Sequence, residues 1–371
     1  MKILHLGRPY FTRDFMELGH DVKWAAADRN AHVQLGVLDS THTLLSRLPK
    51  GWCPDLVVLG DDSAQPGVLG LESLGVPVVW YAIDTHVHAN WHRHYANVFD
   101  LVLVAQKEAV PLYAADLDRQ VVQWAPLFCN HHIARDFKLI RDIPLSFVGT
   151  LNPTWNPDRV RLLEELQARY PIVVRTGEYV ETFNHSMMVL NQSVAGDVNF
   201  RTFEAMACGA LLVTERVGNG FDELLQDKTH CVLYEKGCSD QIAEIADHYL
   251  HHEVERQAIA ARGHDAVLAA HTSRHRAQTI LDLVATHDFQ AMIGKRRSRQ
   301  VQIQLSLVEV YETSARKYRH AAGREEEGSR RQNFYADIAD RYQFLATTIC
   351  QQLGPLSGRS SPDHPPTPAS V

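Results

Sequence analysis

The chain has 371 residues, a formal net charge of −7 and an apolar fraction of 45%, which suits two soluble globular domains and a tail. The negative balance argues against a general grip on nucleic acid, and no run of 18 apolar residues offers a membrane span. Six scattered cysteines without a CxxC pair point to free thiols in a reducing compartment rather than to a disulfide frame or a zinc site.

The opening MKILHLGRPYF is too short and too soon interrupted for a signal peptide, so a cytoplasmic location is expected. Apolar runs at 2–7, 21–26, 55–60, 76–83, 101–106 and 121–126 then read as short strands bounded by Gly, Asp or Pro. Segments such as 66–74 and 88–99 have room for helices between them. Continuous apolar strands alternating with helices predict a parallel sheet covered on both faces, its strands joined by crossovers. HLGRPYF holds one Gly after the first strand and no GxGxxG, and neither a P-loop nor a GxSxG elbow occurs.

A polar passage at 129–144 reads as the link to a second domain. There the rhythm restarts: strands at 145–150, 172–177, 187–192, 211–215 and 231–234, with a helix at 157–169 and another holding Glu204. The fold class is therefore α/β, with two Rossmann-like doubly wound parallel-sheet domains facing a cleft. The expected divisions are an N-terminal domain at 1–128 and a second domain at 145–290, then a helical hairpin at 291–353 and a Pro/Ser-rich disordered tail at 354–371. Open parallel sheets bind ligands at the carboxyl ends of their strands.

The stretch 196-GDVNFRTFEAMACGALLVTE-215 carries the strongest signal. Phe200, Phe203, Ala207 and Leu211 follow the spacing of an apolar helix stripe, and Glu204 lies within it. A carboxylate on a packed face is costly unless donors satisfy it. Asn199 is placed as an N-cap, and the N–H groups of that first turn suit a phosphate. Arg201 adds charge and bidentate hydrogen bonds, and one turn deeper Glu204 is placed to accept from a ribose diol. The bland alternative is a structural helix with a solvated Glu. Downstream of the strand at 145–150, Gly149 permits close approach of the backbone to a ligand.

These residues resemble a known family. RTFEAMACGALLVTE is similar to the donor-domain signature of two-domain nucleotide-sugar glycosyltransferases of the GT-B architecture, and most resembles their spore-maturation CgeB-like branch. VLNQSVAGDVNFR, FVGT and CVLY fit the same branch, so the resemblance covers 145–235 and reaches the first domain in outline. It implies transfer of a sugar from a nucleotide-diphosphate sugar to an acceptor hydroxyl, with no cofactor and no metal. The donor would sit on the second domain, and the acceptor would enter from the first. By this resemblance Glu204 holds the ribose hydroxyls, with Asn199, Arg201 and Thr202 beside it. Arg159 and Arg161 are the candidates to neutralise the diphosphate, and Gly177 and Tyr179 lie near the base. One departure stands out: many relatives carry a second acid eight positions before the Glu, where this chain has Gly196, with Asp197 out of register by one.

The stretch 83-IDTHVHANWHRHY-95 admits several readings. His86 and His88 form an HxH pair of metal-ligand type, but no downstream series of further ligands follows. Surface histidines at a helix start are a second reading. A third puts Asp84 or His86 at the cleft, where either would act on the donor sugar or activate an acceptor hydroxyl. The reading taken is a metal-independent glycosyltransferase with catalytic Asp84 and His86. Alternatives are a nucleotide-sugar epimerase of the same fold, a metal-dependent hydrolase built on His86 and His88, and a non-catalytic scaffold. The partners expected are a nucleotide-sugar donor and an acceptor, with no nucleic acid. A peripheral membrane contact and a homodimer through the C-terminal helices are left open.

Overall fold

The computed structural model describes residues 1–36, 38–113, 121–154 and 156–354; of the tail assigned to 354–371, all but Gly354 lies outside the described residues. The N-terminal part holds β1 (Lys2–Gly7), α1 (Thr12–Glu17), β2 (Asp21–Ala26), β3 (Val33–Gln34), β4 (Asp39–Ser40), α2 (Thr41–Ser46), β5 (Leu56–Gly60), β6 (Val68–Leu69), β7 (Val78–Ala82), α3 (Thr85–Tyr95), β8 (Leu101–Val104), α4 (Val110–Tyr113) and β9 (Val121–Trp124). The second part holds β10 (Ile143–Val148), α5 (Pro157–Gln167), β11 (Val173–Arg175), α6 (Val180–His185), β12 (Ser186–Asn191), α7 (Phe200–Ala207), β13 (Leu211–Glu215), α8 (Phe221–Leu224) and β14 (Val232–Tyr234). Six helices follow: α9 (Ser239–His251), α10 (Glu253–Ala270), α11 (Ser273–Thr286), α12 (Phe289–Ser298), α13 (Gln300–Ala322) and α14 (Arg330–Leu353).

Two parallel sheets result, as the apolar runs predict. Seven strands lie in the order β3-β2-β1-β5-β7-β8-β9, and five in the order β11-β10-β12-β13-β14. Every residue of β7 and β8 is buried, the mark of a strand covered on both faces. Strand order reverses between β1 and β5 in one sheet and between β10 and β12 in the other. At such reversals the crossovers part, leaving a crevice beyond the strand ends.

The segment 66–74 is not the helix expected. It gives β6, paired with β4, and a single 3-10 turn at Leu71–Ser73. Pro66 and Gly67 break helical continuity there, and Gly70 sits at φ 89°, outside the right-handed region.

Beyond residue 270 the chain returns to the first sheet. Cys129 and Thr272 form a parallel bridge, and Arg276 on α11 donates to the carbonyls of Pro126 and Leu127. Arg296 on α12 is buried against Asp100, which also accepts from the Val78 N–H at 2.9 Å. The hairpin of α13 and α14 lays Ile303, Leu307, Tyr311, Tyr342 and Leu345 into the core that holds Trp80 and Trp91. Much of its apolar surface is thus covered inside the chain, while Val301, Phe334 and Phe344 stay exposed.

Candidate functional site

Helix α7 starts at the reversal of the second sheet. Asn199 caps it, accepting from the Thr202 N–H at 3.3 Å, and Phe203, Ala205, Met206 and Ala207 are buried. Glu204 departs from the packed stripe expected: it turns to the open side and lines a cavity of about 370 Å³ between the two domains. The Tyr179 hydroxyl faces its carboxylate. Burial pushes the Glu204 carboxyl up to about 7, against the pull of Tyr179 and Arg201.

Arg201 leaves the helix toward β10. Its Nε donates to the Val148 carbonyl at 2.7 Å and its Nη1 to Asn191 Oδ1 at 2.8 Å. The guanidinium lies 4.6 Å over the Phe147 ring, and burial lowers its pKa to about 10. A Cβ at position 149 would overlap Arg201 Nη2, so Gly149 makes room for this arginine as well as bordering the cavity. Arg159 comes to the same ring from α5, 5.5 Å away. It donates to Gln192 Oε1 at 2.8 Å, to the Gln192 carbonyl at 2.9 Å and to the Thr150 carbonyl at 3.2 Å. Among the described residues neither guanidinium has a carboxylate in ion-pair range, and both are held by amide and carbonyl oxygens. Two cations therefore share one wall of the cavity, held by neutral oxygens.

Asn191 and Gln192, at the end of β12, organise this wall. Asn191 also accepts from Asn199 at 3.0 Å and donates to Thr202 and Thr214. Their roles went unread in the sequence. The signal was there in a polar pair closing the apolar run MMVL, at the carboxyl end of a strand beside the reversal.

Gly177, Tyr179, Asn199, Asp84 and His86 all line the same cavity. Thr202 is buried behind it, serving the cap. Arg161 is not brought there: it is exposed and paired with Asp158 at 2.7 Å, on the far side of α5 from Arg159. At 100° per residue, positions two apart on a helix face nearly opposite ways. Gly196 adopts φ 73°, a conformation that disfavours a side chain, which accounts locally for the missing first acid. Asp197 borders the cavity and accepts from Ser193 at 2.6 Å.

Among the described residues, His86 and His88 belong to no group of three or more metal-type ligands. His86 and His88 fall in the first turn of α3, not on a strand, and so diverge. His88 Nε2 is occupied by Ser63, with Oγ and the carbonyl each at 3.0 Å. Asp84 precedes that helix at φ 49°, with no capping bond from its side chain.

A larger cavity, about 600 Å³, opens at the reversal of the first sheet. Arg8, Trp24, Asp61, Trp91 and, from the hairpin, Arg341 border it. Asp61 accepts from the backbone N–H groups of Ser63 at 2.8 Å and Ile83 at 3.1 Å. Burial nonetheless pushes its carboxyl up to about 8.

Residues 131–282 match the family described as glycosyl transferase-like. The fold is similar to that of Anabaena HepE in complex with UDP and glucose: 13% identical, TM-score 0.55, over 77% of this chain and 100% of that one. Sucrose-phosphate synthase from Thermosynechococcus elongatus aligns over the same shares at 13% identity and TM-score 0.53. A glycosyltransferase from Rickettsia africae is 10% identical with TM-score 0.56, over 77% of this chain and 99% of that one. Among curated proteins none matches the chain in sequence. The fold is that of these GT-B neighbours, with two parallel sheets as predicted.

Proposed function

We propose that this glycosyltransferase of GT-B architecture binds a nucleotide-diphosphate sugar in the cleft beside α7 and passes the sugar to an acceptor hydroxyl. One observation carries the reading. Arg159 and Arg201 lack carboxylate partners among the described residues, and they line one cavity with Glu204 and the capped start of α7. That set matches a diphosphate next to a ribose diol. Uridine diphosphate sugars are the first to test, because the Anabaena neighbour is recorded with UDP-glucose. Within the class, the run from Arg201 to Glu215 supports a place near the CgeB-like branch.

In this mechanism the bond from the anomeric carbon to the diphosphate breaks through an oxocarbenium-like state. Charge grows on the leaving phosphate, where Arg201, Arg159 and the positive end of α7 stabilise it. The acceptor oxygen attacks the anomeric carbon, and its proton passes to Asp84 or His86. The acceptor itself is proposed to lie toward the cavity of the first domain. No divalent ion is needed in the cleft, so turnover should be equal with and without added Mg²⁺ or Mn²⁺. Neither a homodimer nor a membrane contact enters the scheme. No helix among the described residues is long and apolar enough to cross a membrane.

The test is a thermal-shift screen of UDP, GDP, TDP, ADP and CMP sugars, followed by product analysis. Donor at 100 times its Kd should add about 2.7 kcal/mol. A sugar epimerised on an intact nucleotide would favour the epimerase, and no stabilisation by any nucleotide would favour a scaffold.

A further inference from the structure

A second cluster of chemistry-bearing side chains lies away from the cleft residues just described, where α1 meets the linker. Asp14, Glu17, His131 and His132 offer four ligand atoms that all lie within 4.8 Å of one another. Asp14 is 1% exposed. Its Oδ1 is 3.1 Å from His132 Nε2 and 3.8 Å from His131 Nε2, while its buried Oδ2 has no partner. Glu17 stands at the rim, 3.9 Å from His132 Nδ1, and is shared with Arg13 at 2.9 Å and Arg274 at 3.7 Å. We propose that Asp14, His131 and His132, with Glu17 completing the set, bind a first-row divalent ion of the zinc type.

The donor set suits that ion: zinc takes borderline imidazole nitrogen together with carboxylate oxygen, at about 2.0–2.2 Å. Bonds of that length set tetrahedral ligand atoms about 3.3–3.6 Å apart; the 3.1 and 3.8 Å separations at Asp14 bracket this spacing, and the wider ones must close to it. The second layer of contacts agrees. Ser273 Oγ on α11 lies 3.3 Å from His131 Nδ1, which fixes that ring and leaves Nε2 for the ion. A hydrogen bond between His132 and Asp14 Oδ1 alone leaves the buried Oδ2 without a partner. Because α1, the linker and α11 meet here, the ion is structural: it ties the first domain to the crossing between domains. The site is independent of the donor reading.

The experiment uses the full chain, stripped by chelation, dialysed and titrated with Co²⁺ and then Zn²⁺. The expected result is one tight equivalent of Co²⁺ with visible d–d absorption, displaced by Zn²⁺, and a melting temperature that rises with the first equivalent. Asp14→Asn and His132→Gln should each weaken binding by more than about tenfold, with the far-UV spectrum of the stripped protein unchanged. His131→Gln serves as the same test if either fails to fold. The exposed stacked pair His248 and His252 supplies the control, since His248→Ala/His252→Ala should bind as the parent does. Weak, multi-site binding that ignores Asp14, His131 and His132, or binding lost with the control, overturns the proposal.

Discussion

Glu204 sets the sharpest expectations at the residue scale. Glu204→Gln keeps the shape but loses the charge, and a hydrogen bond to a charged group contributes about 1.5–3 kcal/mol. Nucleotide affinity by calorimetry should fall roughly ten- to hundredfold while the fold survives, and unchanged affinity would remove the ribose assignment. Acidity supplies a second check. The carboxyl is raised from the ordinary 4.5 to about 7, and a diol is best accepted by the ionised form. Donor affinity should therefore be highest above pH 7 and decline as pH falls through that value, with Glu204→Gln flat across the range. Without ligand the sign reverses for stability: the raised group favours the fold fully below its unfolded pKa, and that contribution is lost as pH rises through about 7. Tyr179→Phe removes a donor that favours the carboxylate, so the affinity midpoint should move to higher pH. A midpoint unmoved in this variant would separate Tyr179 from Glu204.

Element by element, the strands were legible because a covered parallel strand needs an unbroken apolar run; each predicted run became a strand, although β9 and β11, at sheet edges, are only partly buried. The two-residue strands β3, β4 and β6 were not, since so short a pairing leaves no periodicity to read. The site was legible where local rules govern, as with the Asn199 cap. It was not where the meaning depends on a partner from another element. Arg159 and Arg161 are alike in sequence, yet one turns to the ends of β10 and β12 and the other into solvent. Gly149 shows the same dependence, since its small size is explained by Arg201, 52 positions later. Gly149→Ala should displace that guanidinium and weaken nucleotide binding by about tenfold or more, comparable to loss of a charged hydrogen bond. A calorimetric affinity equal to the parent's would show that Arg201 does not need this seat. Likewise Arg296→Met leaves Asp100 buried without its cation, an error of about 3–5 kcal/mol in urea unfolding. Adding Asp100→Asn should recover part of it, and no recovery would mean that the pair is not coupled.

On the scale of the whole molecule, the two sheets are held in register around the cleft by contacts that only the folded chain creates. Gln106 exchanges two hydrogen bonds of 3.2 Å with the backbone of Val198, and Phe200 packs on Tyr10 and Phe128 with ring centres 5.7 and 5.4 Å apart. The donor helix is thus seated against the first domain. The hairpin completes that domain's core, so a chain ending at residue 298 should be insoluble or loosened, whereas one ending at 354 should melt like the parent; equal melting of both would make the hairpin dispensable. The central claim is that the cleft at α7 is a nucleotide-diphosphate site. It is tested most directly by calorimetric titration of UDP, GDP, TDP and ADP into the parent, Glu204→Gln, Arg201→Met and Asp84→Ala chains. The account predicts one-to-one binding of at least one nucleotide, weakened tenfold or more by the changes at Glu204 and Arg201 and nearly unaffected at Asp84. Binding of none of the four, or binding indifferent to both Glu204 and Arg201, would contradict it.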